Sequence, residues 1–270
     1  MPGVTFCPIA SGSDGNSIYI GHDDTHILID AGISCKRICA GLATIGVDPA
    51  ALAAVFITHE HSDHIQGAAV LSRKYGVPVY ASAKTWRYLE RHTALSGIAP
   101  ENKQVLPERY VSVTVNEVSI RAFDIPHDAA EPVGYAVHAG SLKISVATDL
   151  GHMTDTIREN ISDSHIVLLE SNHDLEMLQN GRYPAALKKR VMGERGHLSN
   201  VAAGHTLTEI MSQKLQYAFL GHLSAENNLP LLAMDTVCRI LETNGIRVGT
   251  ELNLLMAHRG AVSQKVCVSE

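Results

Sequence analysis

The chain has 270 residues, 45% of them hydrophobic and 19% charged, an ordinary globular composition with ample material for a core. A formal net charge of −6 excludes a global basic field that would coat nucleic acid indifferently, while leaving room for a local groove built around cations. No apolar run reaches the roughly 20 residues that span a bilayer, residues 1–8 lack a secretion signal, and five scattered cysteines without a Cys-x-x-Cys pair read as reduced thiols, so a cytoplasmic location away from membranes is expected.

In chain order, Ser17-Ile18-Tyr19-Ile20 and His26-Ile27-Leu28-Ile29-Asp30 flank the turn-like Gly21-His22-Asp23-Asp24 and predict a hairpin. Cys35 and Cys39 share a helix face as packing residues. Ala53-Ala54-Val55-Phe56-Ile57 predicts a short buried strand that runs directly into His59. Residues 65–75 read as one helix, closed by Gly76 and Pro78. Residues 77–80 return to strand, and 84–92 are helical. From 111 to 149 the period is near two, with strands at 118–123, 133–138 and 142–148. Helices prevail from 153 to 241, interrupted by strands at 165–169 and 216–220, and 252–256 is read as the last strand. With no repeat or linker, the pattern fits one layered α/β domain over residues 1–270, its roughly symmetric halves meeting near residue 140.

The segment His59-x-His61-x-Asp63-His64 places four metal-ligand side chains within six residues. In an extended segment, residues two apart point the same way. His59 and His61 can therefore converge on one ion, while Asp63 and His64, past the bend into the helix, reach towards a second. Imidazole and carboxylate suit Zn²⁺, Mn²⁺ and Fe alike. A set of plain surface histidines is the alternative, and the position at the end of a buried strand speaks against it. His127, Asp149 and His222 each follow a strand. Singly they are unremarkable; together they complete two coordination spheres.

This set, a His-x-His-x-Asp-His motif followed in order by His, Asp and His at strand ends, resembles the metallo-β-lactamase superfamily over nearly the whole chain. The resemblance implies an αββα sandwich, two mixed sheets face to face with helices outside and metals at one edge. It implies two divalent ions per chain, zinc first, with manganese or iron as alternatives. His59, His61 and His127 are implied ligands of one ion and Asp63, His64 and His222 of the other, with Asp149 bridging. Asp30 matches an early Asp that supports the ligands from behind.

Two ions about 3.5–4 Å apart can brace both the attacking and the leaving oxygen of a displacement, and zinc brings bound water to a pKa of about 7. The carboxylate bridge resembles the glyoxalase, lactonase and phosphodiesterase branches more than secreted β-lactamases with a metal-binding Cys. His197, in Gly196-His197-Leu198-Ser199-Asn200, stands where nucleic-acid-processing members carry a His at the scissile phosphate. It can bind a phosphate oxygen or protonate the leaving alkoxide; a helix-capping turn is the plainer reading. Asp63 and His197 are the expected catalytic pair.

Further stretches narrow the resemblance. Ser11-Gly12-Ser13-Asp14-Gly15-Asn16-Ser17, Pro126-His127-Asp128-Ala129-Ala130-Glu131-Pro132, Glu170-Ser171-Asn172-His173-Asp174 and Gly221-His222-Leu223-Ser224-Ala225-Glu226-Asn227-Asn228 are similar to the bacterial YycJ (WalJ) group. That similarity implies a 5′-exodeoxyribonuclease-like enzyme with DNA as substrate and a link to mismatch repair. The early Gly/Ser loop lacks Gly-Lys-Ser/Thr, so no nucleotide cofactor is expected; it reads as a flexible rim or a tight turn. Glu170 is expected to orient a ligand imidazole and His173 to line the substrate pocket, or both serve as structural hydrogen-bonding groups. Lys188, Lys189 and Arg190, flanked by Arg182 and Arg195, form a basic run suited to a DNA backbone. The alternatives are a small-molecule hydrolase (cyclic phosphodiester, thioester or lactone) and a metal-binding but catalytically silent repair or regulatory module. The interval from Asp149 to His222 is too short for the inserted domain of the β-CASP nucleases.

Overall fold

Most strands of this chain are apolar on both faces, and a sheet of such strands must be covered twice. The computed structural model describes residues 3–92, 97–108 and 111–270 and shows how that cover is arranged. The strands are β1 (Gly3–Ala10), β2 (Ser17–His22), β3 (Thr25–Ile29), β4 (Leu52–Phe56), β5 (Val79–Ala81) and β6 (Lys103–Val105). They continue as β7 (Ser112–Val115), β8 (Val118–Asp124), β9 (Val133–Ala139), β10 (Leu142–Ala147), β11 (Ile166–Glu170), β12 (Tyr217–Gly221), β13 (Asn253–Met256) and β14 (Val266–Ser269). They form two seven-stranded sheets, ordered β14-β1-β2-β3-β4-β5-β6 and β13-β12-β11-β10-β9-β8-β7.

The two sheets repeat one plan. From β14 to β3 the pairings are antiparallel, and from β3 to β6 they are parallel. From β7 to β10 they are again antiparallel, and from β10 to β13 parallel. Their inner faces share a core in which Phe6 meets Phe219 at 5.0 Å between ring centroids and Phe56 meets Tyr135 at 5.7 Å. Tyr135 also donates its hydroxyl proton to the Ile57 carbonyl at 2.6 Å, joining the sheets beside the histidine-rich segment.

Helices α1 (Cys35–Thr44), α2 (Ser62–Ile65), α3 (Ala68–Tyr75) and α4 (Ala83–His92) follow strands of the first sheet. Ile38, Leu42 and Leu71 of this layer bury with Leu28 and Val55 on its outer face. The helices that follow are α5 (Asp155–Ile161), α6 (Leu175–Asn180), α7 (Ala185–Val191), α8 (Asn200–Ile210) and α9 (Pro230–Thr243), of which α5, α8 and α9 cover the second sheet. Leu207, Val237 and Leu241 pack there on Val167, Leu169 and Ala218. The expected αββα sandwich is the observed one. Among the described residues no helix is long and apolar enough to cross a membrane.

Three details differ from the sequence reading. The helix expected over 65–75 is broken into α2 and α3 at Gly67, whose backbone N–H is drawn to the Ala31 carbonyl at 2.7 Å. The sheets divide between β6 and β7, while the neighbourhood of residue 140 is the hairpin joining β9 to β10. Beyond 252–256 the chain forms one more strand, β14, which returns to the first sheet and pairs with β1. The carboxyl ends of β3, β4, β10, β11 and β12 lead into the candidate residues, the place where open sheets with parallel strands hold ligands.

Candidate metal centre

Leaving β4, the chain enters the histidine segment at Thr58, and a buried carboxylate fixes it there. Asp30 follows β3 with a left-handed backbone (φ 62). Its Oδ1 accepts the Thr58 N–H at 2.8 Å and its Oδ2 the Thr58 hydroxyl at 2.9 Å. Asp30 Oδ2 also lies 2.7 Å from His64 Nδ1. With Nδ1 engaged, His64 turns Nε2 towards the centre. His59 is set similarly: Nδ1 is 3.0 Å from Thr58 Oγ1, and Nε2 faces His61 Nδ1 at 2.9 Å. Gly32 permits the closure, because a Cβ there would collide with the Asp63 carbonyl oxygen. Glu60 faces away and accepts the Ala130 N–H at 2.7 Å. Asp30→Asn is expected to weaken metal binding by about 10–100-fold, as loss of such supporting carboxylates does. Metal titration of the folded variant measures this, and wild-type affinity would assign Asp30 to folding alone.

The second sheet supplies the opposite wall. Asp149 follows β10 with φ 63, the counterpart of Asp30, since each follows the strand where its sheet turns from antiparallel to parallel. His127, after β8, has Nδ1 3.2 Å from the Gly196 carbonyl and Nε2 3.6 Å from Asp149 Oδ1. His222, after β12, brings Nε2 within 3.6 Å of both Asp149 Oδ1 and Asp63 Oδ2. His64 Nε2 lies 3.3 Å from Asp149 Oδ2 and 3.4 Å from Asp63 Oδ2. The ligand atoms of His59, His61 and His127 lie within 4.8 Å of one another, and so do those of Asp63, His64 and His222. Asp149 sits between the two triads, so all seven expected ligands meet at one place.

Glu170, at the end of β11, is fully buried. Its Oε2 accepts the backbone N–H groups of Leu150 (2.6 Å) and Leu198 (3.0 Å). Its Oε1 holds Nδ1 of both His222 and His197 at 2.8 Å. One carboxylate thus orients a candidate ligand and the candidate phosphate-contacting imidazole together.

Charge and unsatisfied groups test whether a cation fits. Burial would depress the His222 imidazole, yet Asp149, Asp63 and Glu170 outweigh it and raise its pKa to about 10. Burial likewise opposes charge on His64, but the carboxylates of Asp30, Asp149 and Asp63 hold it well above the usual histidine value. The cluster is built to retain positive charge. Asp149 Oδ2 and His222 Nε2 are buried without a hydrogen-bond partner, a costly state that a metal coordinated by both would relieve. The nitrogen and oxygen donors match a divalent ion of the zinc, manganese or iron type.

Residues 25–223 match a family model described as the beta-lactamase superfamily domain. The chain is 37% identical over 247 residues to exodeoxyribonuclease YycJ of Bacillus anthracis, with 92% of each chain covered. It is 36% identical over 252 residues to exodeoxyribonuclease WalJ of Streptococcus pneumoniae, with 93% of each covered. This chain belongs to the metallo-β-lactamase-fold superfamily, in its YycJ-like group. The metallo-β-lactamase-fold protein YhfI of Bacillus subtilis superposes with a TM-score of 0.72 at 15% identity, covering 98% of this chain and 100% of that one, and so shares its fold. The YycJ-like chain is a metal-dependent hydrolase.

In this YycJ-like hydrolase His61, Asp63, His127, Asp149 and His222 open into a cavity of about 350 Å³, lined also by His197, Asp128, Tyr183, Arg190 and Asn227. Arg190 lies at its wall and donates from Nε to Asp128 Oδ2 at 2.6 Å. Lys188 donates to the Gln179 carbonyl, Lys189 is exposed, and neither lines the cavity. Arg195 turns inward and holds the His127 carbonyl at 2.9 and 3.1 Å. His173 lines the groove next door instead. The Gly/Ser loop lies at the metal edge and is tied down, with Ser11 Oγ accepting the His222 N–H at 2.9 Å and Asn16 N donating to the Asp63 carbonyl at 2.8 Å. Sequence reasoning missed Asp128, Tyr183 and Asn227. Asn227 is 2% exposed and its Nδ2 has no partner; it lay within a quoted stretch, but only the fold shows that it lines the cavity.

Proposed function

We propose that the chain is a two-metal phosphodiesterase that shortens DNA from a 5′ end. The observation that carries this reading is His197, whose Nδ1 is held by Glu170 at 2.8 Å while its ring lines the same cavity as the candidate ligands. Thioester hydrolysis gives such a fixed proton donor less to do than phosphodiester cleavage, because a thiolate leaves without a proton far more readily than an alkoxide oxygen does. The exodeoxyribonuclease names of the relatives support DNA as the substrate.

His59, His61 and His127 would hold one ion, Asp63, His64 and His222 the other, with Asp149 shared. When bound, such ions supply activated water near neutral pH and a Lewis-acid brace for phosphate oxygens. The remaining work falls to the chain. Burial opposes charge on His197, but Glu170 and Asp149 raise its pKa above the ordinary value, which favours the protonated ring that a leaving oxygen would draw on at Nε2. Glu170 prevents the ring from turning. Arg190 can exchange Asp128 for a backbone phosphate, and Lys188 and Lys189 on the same helix attract the strand outside the cavity. Removal of a damaged or mismatched strand in the cytoplasm is the setting that suits this activity.

Metal-loaded protein incubated with 5′- and 3′-labelled single- and double-stranded DNA tests the reading. Progressive release from the 5′ end with Zn²⁺ or Mn²⁺ is expected. Hydrolysis of a thioester or lactone with intact DNA would replace it with the small-molecule reading. His197→Ala is expected to lower DNA turnover by about 10²–10⁴-fold, the scale of a lost general acid, with metal content unchanged. Loss of metal from that variant would make His197 a ligand instead.

A further inference from the structure

Adjoining the candidate-ligand cavity at His197 lies a second groove of about 450 Å³, within the roughly 300–1,000 Å³ of small-ligand sites. His197 belongs to the walls of both spaces. Met153, Leu175 and Met192 line the second one, and Leu175 and Met192 are respectively 38% and 45% exposed. Large apolar side chains left open beside a reaction centre call for an apolar part of the substrate.

The polar lining narrows the occupant. Arg158, also in the lining, is neutralised by Asp155 at 2.6 Å and Glu209 at 2.8 Å. His173 is 1% exposed, and its Nδ1 has no hydrogen-bond partner. Burial holds its pKa down to about 4, so the imidazole is neutral and offers one donor and one acceptor. The arginine of the lining is thus already paired and not free for a phosphate. A flat heteroaromatic ring would find thioether and aliphatic faces for stacking and an imidazole for its edge.

We infer that this groove binds the nucleobase of the nucleotide carrying the leaving oxygen, with Met153, Leu175 and Met192 against its face and His173 at its edge. The inference rests on the nuclease reading. In cleavage from a 5′ end the leaving oxygen is the 3′ oxygen of the terminal nucleotide. Protonation by His197, which lines both spaces, brings that nucleotide next to the groove.

Single-stranded oligonucleotides with either a normal or an abasic 5′ nucleotide test the assignment. Wild-type protein is expected to cleave the abasic strand with about a 10-fold lower kcat/KM, the scale of one stacked base. Met153→Ala/Met192→Ala is expected to reduce the normal strand to the abasic level and to leave the abasic strand unchanged. A binding measurement without turnover accompanies it: in EDTA, 2-aminopurine at the 5′ position is quenched by wild type and less by the double variant. Equal rates on both strands, or equal loss on both in the variant, overturns the base subsite while the nuclease reading stands. Hydrolysis of bis-p-nitrophenyl phosphate with neither cleavage nor binding of any strand overturns both.

Discussion

Asp149→Asn is expected to lose bound metal and hydrolytic turnover together, each by more than about 100-fold, beyond the range typical of residues that only support ligands. The carboxylate lies within 3.6 Å of His64, His127 and His222 and so reaches members of both triads. Asparagine preserves its volume, so the left-handed strand end after β10 and the packing around it should persist. What disappears is the charge that two cations would share. Elemental analysis of the purified variant, beside bis-p-nitrophenyl phosphate kinetics, checks both halves. Full metal content with ordinary turnover would remove Asp149 from the centre. Loss of half the metal would mean that it serves one ion only.

Glu170→Gln is expected to damage three properties together. Each oxygen of Glu170 accepts two hydrogen bonds, one pair from backbone N–H groups and the other from imidazole Nδ1 atoms. Glutamine must aim its amide hydrogens at one of those pairs. Buried donors left facing donors cost about 1–3 kcal/mol each, so thermal unfolding should move down markedly. His222 should lose orientation and with it some metal affinity, by about 10–100-fold. Turnover should fall further than in His197→Ala, because the proton donor and a ligand are disturbed at once. A thermal melt, a metal titration and kcat on DNA separate these effects. Should the variant keep full metal affinity and match His197→Ala in rate, Glu170 would act on His197 alone.

The metal segment is legible because its ligands crowd into six residues at the mouth of a buried strand, where alternation settles which way they point. His127, Asp149 and His222 are legible as polar residues just past apolar runs. The partners of those runs are not: periodicity tells which face a strand buries, and nothing in it says which strand lies beside it. Val266–Ser269 is short and half-exposed, so its pairing with β1 leaves no mark in composition. Gly67 looks like any helix glycine until the Ala31 carbonyl is seen against its N–H. The basic run shows the same limit. Arg190 faces the cavity, Arg195 braces His127, and Lys188 and Lys189 point elsewhere, a division that a count of charges cannot foresee.

The pairing of β14 with β1 also bears on how the chain is made. Gly3 sits opposite Ser269 in that ladder, so one side of β1 waits during synthesis until β14 has been made. Until then β1 presents unpaired amides and carbonyls, an open template for another chain. From β1 to β6, and again from β7 to β13, each strand lies beside the next in sequence, so each run can assemble as it emerges. Among the described residues, the β1–β14 ladder is the pairing of longest sequence separation in the first sheet, the kind of contact that folding acquires slowly. During synthesis the vulnerable surface is therefore an edge remote in sequence from the histidines, and crowding of nascent chains would be felt there first.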